Sequence, residues 1–87
     1  MYFTYVLKFK KQSLKFYVGL TDNLEQRLAQ HQSGAVSTTR GANGIELVYF
    51  EGCKHKTDAR KRELQLKTGF GRGYINRRIE NDLKMRG

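Results

Sequence analysis

Residues 14–31 read Leu-Lys-Phe-Tyr-Val-Gly-Leu-Thr-Asp-Asn-Leu-Glu-Gln-Arg-Leu-Ala-Gln-His, and the pattern within this stretch changes once. From Leu14 to Leu20 it is rich in aromatic and β-branched types that suit a pleated surface, which predicts a strand. From Asp22 onward, Asp22 with Glu25 resembles a capping box, and Leu24, Arg27, Leu28 and His31 recur at helical spacing. A helix over about 23–33 follows, with Gly34 as a natural stop. Its inward stripe carries an arginine and a histidine beside two leucines.

Working outward, Tyr2–Phe9 reads as another strand, joined to the second by the polar run Lys10, Lys11, Gln12, Ser13. So short a connection favours an antiparallel hairpin. If the connection holds an odd number of residues, Tyr5 and Tyr17 share a face, because side chains alternate with period two. Downstream, residues 35–44 read as a mobile loop and Ile45–Glu51 as a third strand. Thr57 can cap a second helix over about 58–67, with Asp58 at the positive end of its dipole. On it Ala59, Glu63 and Leu66 fall on one face, so a carboxylate sits in the stripe that should be buried, while Arg60, Lys61 and Lys67 point elsewhere. Gly69, Gly71 and Gly73 read as a break, after which Tyr74, Ile75, Ile79 and Leu83 predict a third helix. The expected fold is α/β of the α+β kind: a three-stranded antiparallel sheet flanked by three helices, in the order β-β-α-β-α-α.

A chain of 87 residues suffices for one small domain, spanning 1–87. Its net charge of +9 selects polyanionic partners, nucleic acid before anionic membrane. The charge is lopsided, with +3 carried by residues 1–50 and +6 by residues 51–87, so the C-terminal half is the expected electrostatic footprint. One cysteine, Cys53, and two histidines, His31 and His55, exclude a disulfide framework and a closed four-ligand zinc site. That usage suits a reducing, cytoplasmic setting. No stretch approaches the ~20 apolar residues that cross a bilayer, so no membrane partner is expected.

Arg27, His31 and Glu63 thus occupy core-side helix positions next to a hairpin bearing Tyr5 and Tyr17. Burying ionisable groups is costly unless they pair or line a cleft. On stripe position alone, an ion pair between Arg27 and Glu63 is the simpler reading, with His31 a satisfied histidine and each tyrosine ordinary strand filling. Tyr49, an aromatic in a strand, reads as core. Lys67, Arg72, Arg77 and Arg78 surround the glycine cluster and Tyr74 in a pattern suited to tracking a nucleic-acid backbone, against the plainer reading of a solvated helix face, and Arg40 in the loop reads equally as a phosphate contact or as a solvated loop charge.

The order and spacing of the polar set resemble the GIY-YIG nuclease superfamily, most closely its small stand-alone members. Phe3-Thr4-Tyr5 stands at the first strand motif and Tyr17-Val18-Gly19 at the second, with Phe3 and Thr4 departing from the usual Gly and Ile. The run YVGLTDNLEQR at 17–27, followed by His31, is similar to the family's second motif and first helix. LVYFE at 47–51 is similar to its third strand, and ARKRELQLKTGFGRGYINRRI at 59–79 resembles the segment bearing its glutamate. The resemblance implies phosphodiester hydrolysis, in DNA before RNA, with Tyr5, Tyr17, Arg27, His31 and Glu63 as catalytic residues. It also implies one Mg²⁺ (or Mn²⁺) held at Glu63. Arg27 would bind the scissile phosphate, Tyr5 or Tyr17 would orient or deprotonate the attacking water, and His31 would assist. The family's late asparagine matches Asn76 or Asn81. The alternative is a noncatalytic, basic nucleic-acid-binding module on the same fold.

Overall fold

The buried run Thr4–Leu7 belongs to a strand covered on both faces, and in the computed structural model, which describes residues 1–86 and the side chains of residues 1–83, that strand is the middle of the sheet. β1 (Tyr2–Lys11), β2 (Leu14–Thr21) and β3 (Asn43–Cys53) pair antiparallel in the order β2-β1-β3. Alternation along β1 sends Tyr5, Leu7 and Phe9 to one face, against Leu24 and Leu28 of α1 (Leu24–Gln32). Val6 points to the other face and meets Leu66 of α2 (Lys56–Leu66), Ile75 of α3 (Gly69–Arg78) and Ile79. α4 (Glu80–Arg86) follows, and Asp82 ties it to the sheet through Lys8 at 2.6 Å.

The architecture is the expected one, an α+β fold in the order β-β-α-β-α-α, with the last helical region divided at Ile79, where φ −110° and ψ 24° leave the helical range. In the hairpin, Tyr5 lies opposite Gly19 and Leu7 opposite Tyr17, so the two tyrosines do share a face. Strand pairing runs to Lys11, leaving Gln12 and Ser13 at the tip; Gln12 takes φ 55° there, and the register slips between Lys8 and Lys11.

Three local expectations need correction. The α1 cap is Asn23, whose side chain accepts from the Gln26 N–H at 3.0 Å; Asp22 lies one residue too early. At the other end Gly34, at φ +82°, and Ala35 donate to the His31 and Gln30 carbonyls, a Schellman closure. α2 begins at Lys56 with His55 as its cap, earlier than Thr57. The glycine cluster is no break, since Thr68 caps α3 on the Gly71 N–H and a Cβ at Gly71 would collide with the Leu66 carbonyl. Glycine there lets α3 start directly beneath the end of α2.

Candidate active site

β2 is an edge strand, and the candidate site is built across that edge, with α1 supplying one bank and α2 the other. The groove has a volume of about 570 Å³, and its lining includes Tyr17 from β2, Arg27 and Gln30 from α1, and Lys56, Arg60 and Glu63 from α2. Arg27, Glu63 and Tyr17, distant in sequence, therefore meet at one solvent-accessible cleft. Tyr5 and His31 lie behind it, buried.

Behind the cleft runs a chain of hydrogen bonds. The Arg27 Nε donates to the Tyr5 hydroxyl at 3.3 Å, Tyr5 Oη meets His31 Nε2 at 2.8 Å, and His31 Nδ1 meets Thr39 Oγ1 at 2.8 Å. Burial, reinforced by the nearby Arg27 charge, holds the His31 imidazole below its ordinary pKa, so it is neutral near pH 7. A neutral ring donates from one nitrogen and accepts at the other, so Tyr5 and Thr39 serve it from opposite sides, one as donor and one as acceptor. Burial also pushes the Tyr5 phenol up to about 12, outweighing the pull of the Arg27 bond. Tyr5 is thus a protonated group that fixes Arg27. Gly19 makes this possible, because a Cβ there would run into the Tyr5 hydroxyl.

Tyr17 is the half-buried tyrosine of the pair. Its ring stands edge-on to His31 with centroids 4.7 Å apart, and it is 6.1 Å from the Tyr5 ring. Arg27 also donates Nη1 to Gln30 Oε1 at 2.9 Å, which splints the guanidinium on both sides, while Nη2 takes part in neither bond. The Tyr5 bond raises the Arg27 pKa further, so the charge is permanent.

Arg27 and Glu63, which stripe position pairs with each other, have other partners. The Glu63 carboxylate, 7% exposed, accepts from Arg60 at 2.6 Å and from Lys67 at 3.1 Å. Both cations are half in solvent, at 56% and 48% exposure, and are free to swing away from it. Arg60 and Lys67 were expected to point elsewhere; they reach back along the helix at i−3 and i+4. Among the described residues no group of three or more His, Cys, Asp or Glu side chains could cage a metal by itself. A lone buried carboxylate on an open groove fits a hard cation that keeps most of its waters and takes further oxygens from a substrate phosphate.

The residues expected to contact nucleic acid divide. Lys67 and Arg72 line a second groove of about 550 Å³ between β2 and α3, which shares Tyr17 with the first. Arg77 is exposed on α3. Arg78 instead stacks over Tyr74, 4.6 Å from the ring centroid, and Arg62 covers the same ring at 4.2 Å. Arg62 also grips Glu51 with both Nε and Nη2, and Tyr49 donates to that carboxylate at 2.6 Å. Burial alone would raise the Glu51 pKa; the Arg62 fork and the Tyr49 hydroxyl outweigh it and hold the carboxyl low. Tyr49 packs against the Val6 cluster, as a core aromatic should. Arg40 donates Nε to the Gly34 carbonyl at 2.9 Å and so braces the loop after α1. Asn76 lines the second groove, and Asn81 is exposed.

Sequence reasoning passed over Thr39, Gln30 and Arg60. The loop carrying Thr39, read as mobile, is pinned by that residue, which is 1% exposed on the His31 ring. No local pattern marks Thr39 or Gln30, whereas the spacing of Arg60 before Glu63 is itself a signal.

A family profile described as the GIY-YIG catalytic domain matches residues 1–78. The chain belongs to the GIY-YIG family. That places it in a nuclease family. It is 43% identical over 68 residues to a UPF0213 protein of Clostridium perfringens, covering 77% of this chain and 71% of that one. A UPF0213 protein of Staphylococcus haemolyticus is 37% identical over 80 residues, or 91% of this chain and 94% of the relative. A third, from Oceanobacillus iheyensis, is 36% identical over 67 residues, 76% of each chain. The names of these GIY-YIG relatives state no activity. No solved structure matches the chain. Among the described residues no helix is long and apolar enough to cross a membrane.

Proposed function

We propose that this GIY-YIG protein is a metal-dependent endonuclease that hydrolyses phosphodiester bonds in DNA. The observation that carries the reading is the meeting of Tyr17, Arg27 and Glu63 on one groove across the β2 edge. Glu63 would hold Mg²⁺ or Mn²⁺, which when bound neutralises charge developing on the leaving oxygen.

The chain's own residues do the rest. Arg27, fixed from behind by Tyr5 and from the side by Gln30, aims its remaining donors at the scissile phosphate and stabilises the added negative charge of the pentavalent state. Tyr17, the water-facing phenol, orients the attacking water, whose oxygen forms the new bond to phosphorus as one ester P–O bond breaks. Tyr5 is a positioning residue, because a buried phenol titrating near 12 keeps its proton at neutral pH. His31 is a positioning residue too, enclosed between Tyr5 and Thr39. Arg60 and Lys67 leave Glu63 for substrate phosphates when the groove fills.

The test is supercoiled plasmid incubated with purified protein and Mg²⁺ or Mn²⁺, against chelator and against Glu63→Ala. Nicking is expected only with metal and wild-type protein; equal cutting by Glu63→Ala would remove the metal role. The closure of Glu63 by two cations is the observation favouring the alternative, a module that binds without cutting. Its signature is plasmid retained in a gel-shift and never nicked.

A further inference from the structure

The second groove contacts the first at Tyr17, and its Lys67 reaches across to Glu63 at 3.1 Å. Its chemistry differs from that of its neighbour. The floor is apolar, made by Leu66 and Ile75 with Phe16 as a wall, while Lys15 and Arg72 stand around it and Asn76 offers a neutral amide. A duplex offers such a groove only phosphates and base edges, since its base faces are stacked inside the helix. An apolar floor rimmed by cations instead matches a splayed-out nucleotide, whose base has a flat face to bury and whose phosphate needs a counter-charge. The volume of about 550 Å³ lies within the range of sites that enclose a small ligand.

We propose that the groove between β2 and α3 binds one unpaired nucleotide of the substrate strand, adjacent to the phosphate held at Arg27. The base lies against Phe16 over Ile75, Asn76 meets its polar edge, and Lys15 and Arg72 hold the flanking phosphates. This rests on the reading of the neighbouring groove as a nuclease site, and it gives that site a substrate class: DNA with a single-stranded segment, such as a tail, flap or gap, next to the cleaved bond.

The test is fluorescence anisotropy in chelator, so that nothing is cut, with a labelled blunt duplex and the same duplex bearing a short single-stranded tail. The tailed duplex is expected to bind about tenfold more tightly. Phe16→Ala should abolish that advantage while leaving blunt-duplex affinity within about twofold. Phe16→Tyr, which keeps a ring, should restore it, and Asn76→Ala at an exposed helix position should reduce it without touching the fold. Equal affinity for the two duplexes, or a variant that weakens both alike, overturns the pocket. If Phe16→Ala unfolds, Asn76→Ala and the shifts of the Leu66 and Ile75 methyl resonances on adding the deoxydinucleotide thymidylyl-thymidine decide instead; unmoved methyls count against it. Tail preference with no metal-dependent cutting of either the plasmid or the tailed duplex removes the nuclease reading alone. Nicking without tail preference removes the pocket alone.

Discussion

On the β3 side of the molecule Glu51 is held by both Nε and Nη2 of Arg62 and accepts from the Tyr49 and Tyr74 hydroxyls, and the Tyr74 ring is itself covered by the Arg62 and Arg78 guanidinium groups. On the β2 side Glu63 leans on two half-exposed cations, and Arg27 points its fork at a phenol and an amide, with no carboxylate of its own. The residue types are the same: tyrosines, arginines, one glutamate. What differs is completeness. In the first cluster the acid and base that attract each other are already joined in a two-pronged geometry, which leaves little for a ligand to satisfy. In the second they are kept apart across a groove, so that a phosphate for the arginine and a cation for the carboxylate are what would complete it. Composition alone does not separate the two clusters; whether the arginine and the carboxylate are joined does.

The largest expected effect tests that contrast directly. Glu63→Ala should lower metal-dependent nicking to below about a thousandth of the wild-type rate. Its stability should change by only about 1 kcal/mol, because Arg60 and Lys67 return to water. Glu51→Ala should do the reverse: it leaves Arg62 and Tyr49 without their acceptor and should cost about 2–4 kcal/mol, more than about 10 °C in Tm, with nicking preserved below the melting range. Thermal melts and plasmid assays on both variants read the exchange. Nicking lost in the Glu51 variant at a temperature where it is folded would erase the distinction.

Next in size is Arg27→Lys. It keeps the positive charge and loses the planar fork, so nicking should fall by about 10²–10³ while DNA affinity at fixed salt changes less than about threefold. A loss confined to affinity would make Arg27 one more phosphate contact on a basic surface.

How far such contrasts can be read without coordinates depends on the range of the physics involved. Helical periodicity, a local rule, suffices to put Ala59, Glu63 and Leu66 on one buried face, whereas strand alternation puts Tyr5 and Tyr17 on one face only if the connection is odd; the tip holds two residues, and the register slip between Lys8 and Lys11 supplies the missing parity. The cap of α1 was displaced because Asp22 and Asn23 are both able caps and only backbone direction chooses between them. Gly71 was misread as a breaker because its role is set by the Leu66 carbonyl that crowds it, a contact between elements. Arg78 and Arg72 look alike in sequence, yet one lies on an aromatic ring and the other on a groove. Thr39 and Gln30 were passed over for the same reason: the path of a loop and the splinting of a guanidinium exist only in three dimensions.

A smaller effect comes from His31. Its pKa is held below the ordinary value, so the unfolded chain binds more protons than the native one once the pH falls below about 6.5. Stability is therefore full above that pH and declines as pH drops toward the native value, by at most about 1.4 kcal/mol per pH unit for one group. Melting temperature should fall by up to about 10 °C per unit between pH 6.5 and 5, and His31→Gln should flatten the slope. An identical slope in that variant would mean that the proton goes elsewhere.

The smallest effect distinguishes the cations of the two clusters. Arg72 lines the open groove, so Arg72→Ala should remove one phosphate contact and reduce the slope of log K against log salt for a single-stranded oligonucleotide by about 0.7. Arg78 has its guanidinium spread over Tyr74, a ring that Arg62 also covers, and turning it to a phosphate would forfeit that stacking. Arg78→Ala should leave the salt slope unchanged within error and lower Tm instead, by a few degrees at about 0.5–1 kcal/mol for an exposed stack. Anisotropy titrations at several salt concentrations separate the two. If Arg78→Ala lowers the slope as Arg72→Ala does, the β3-side cluster opens in the presence of nucleic acid, and its completeness is a property of the free protein only.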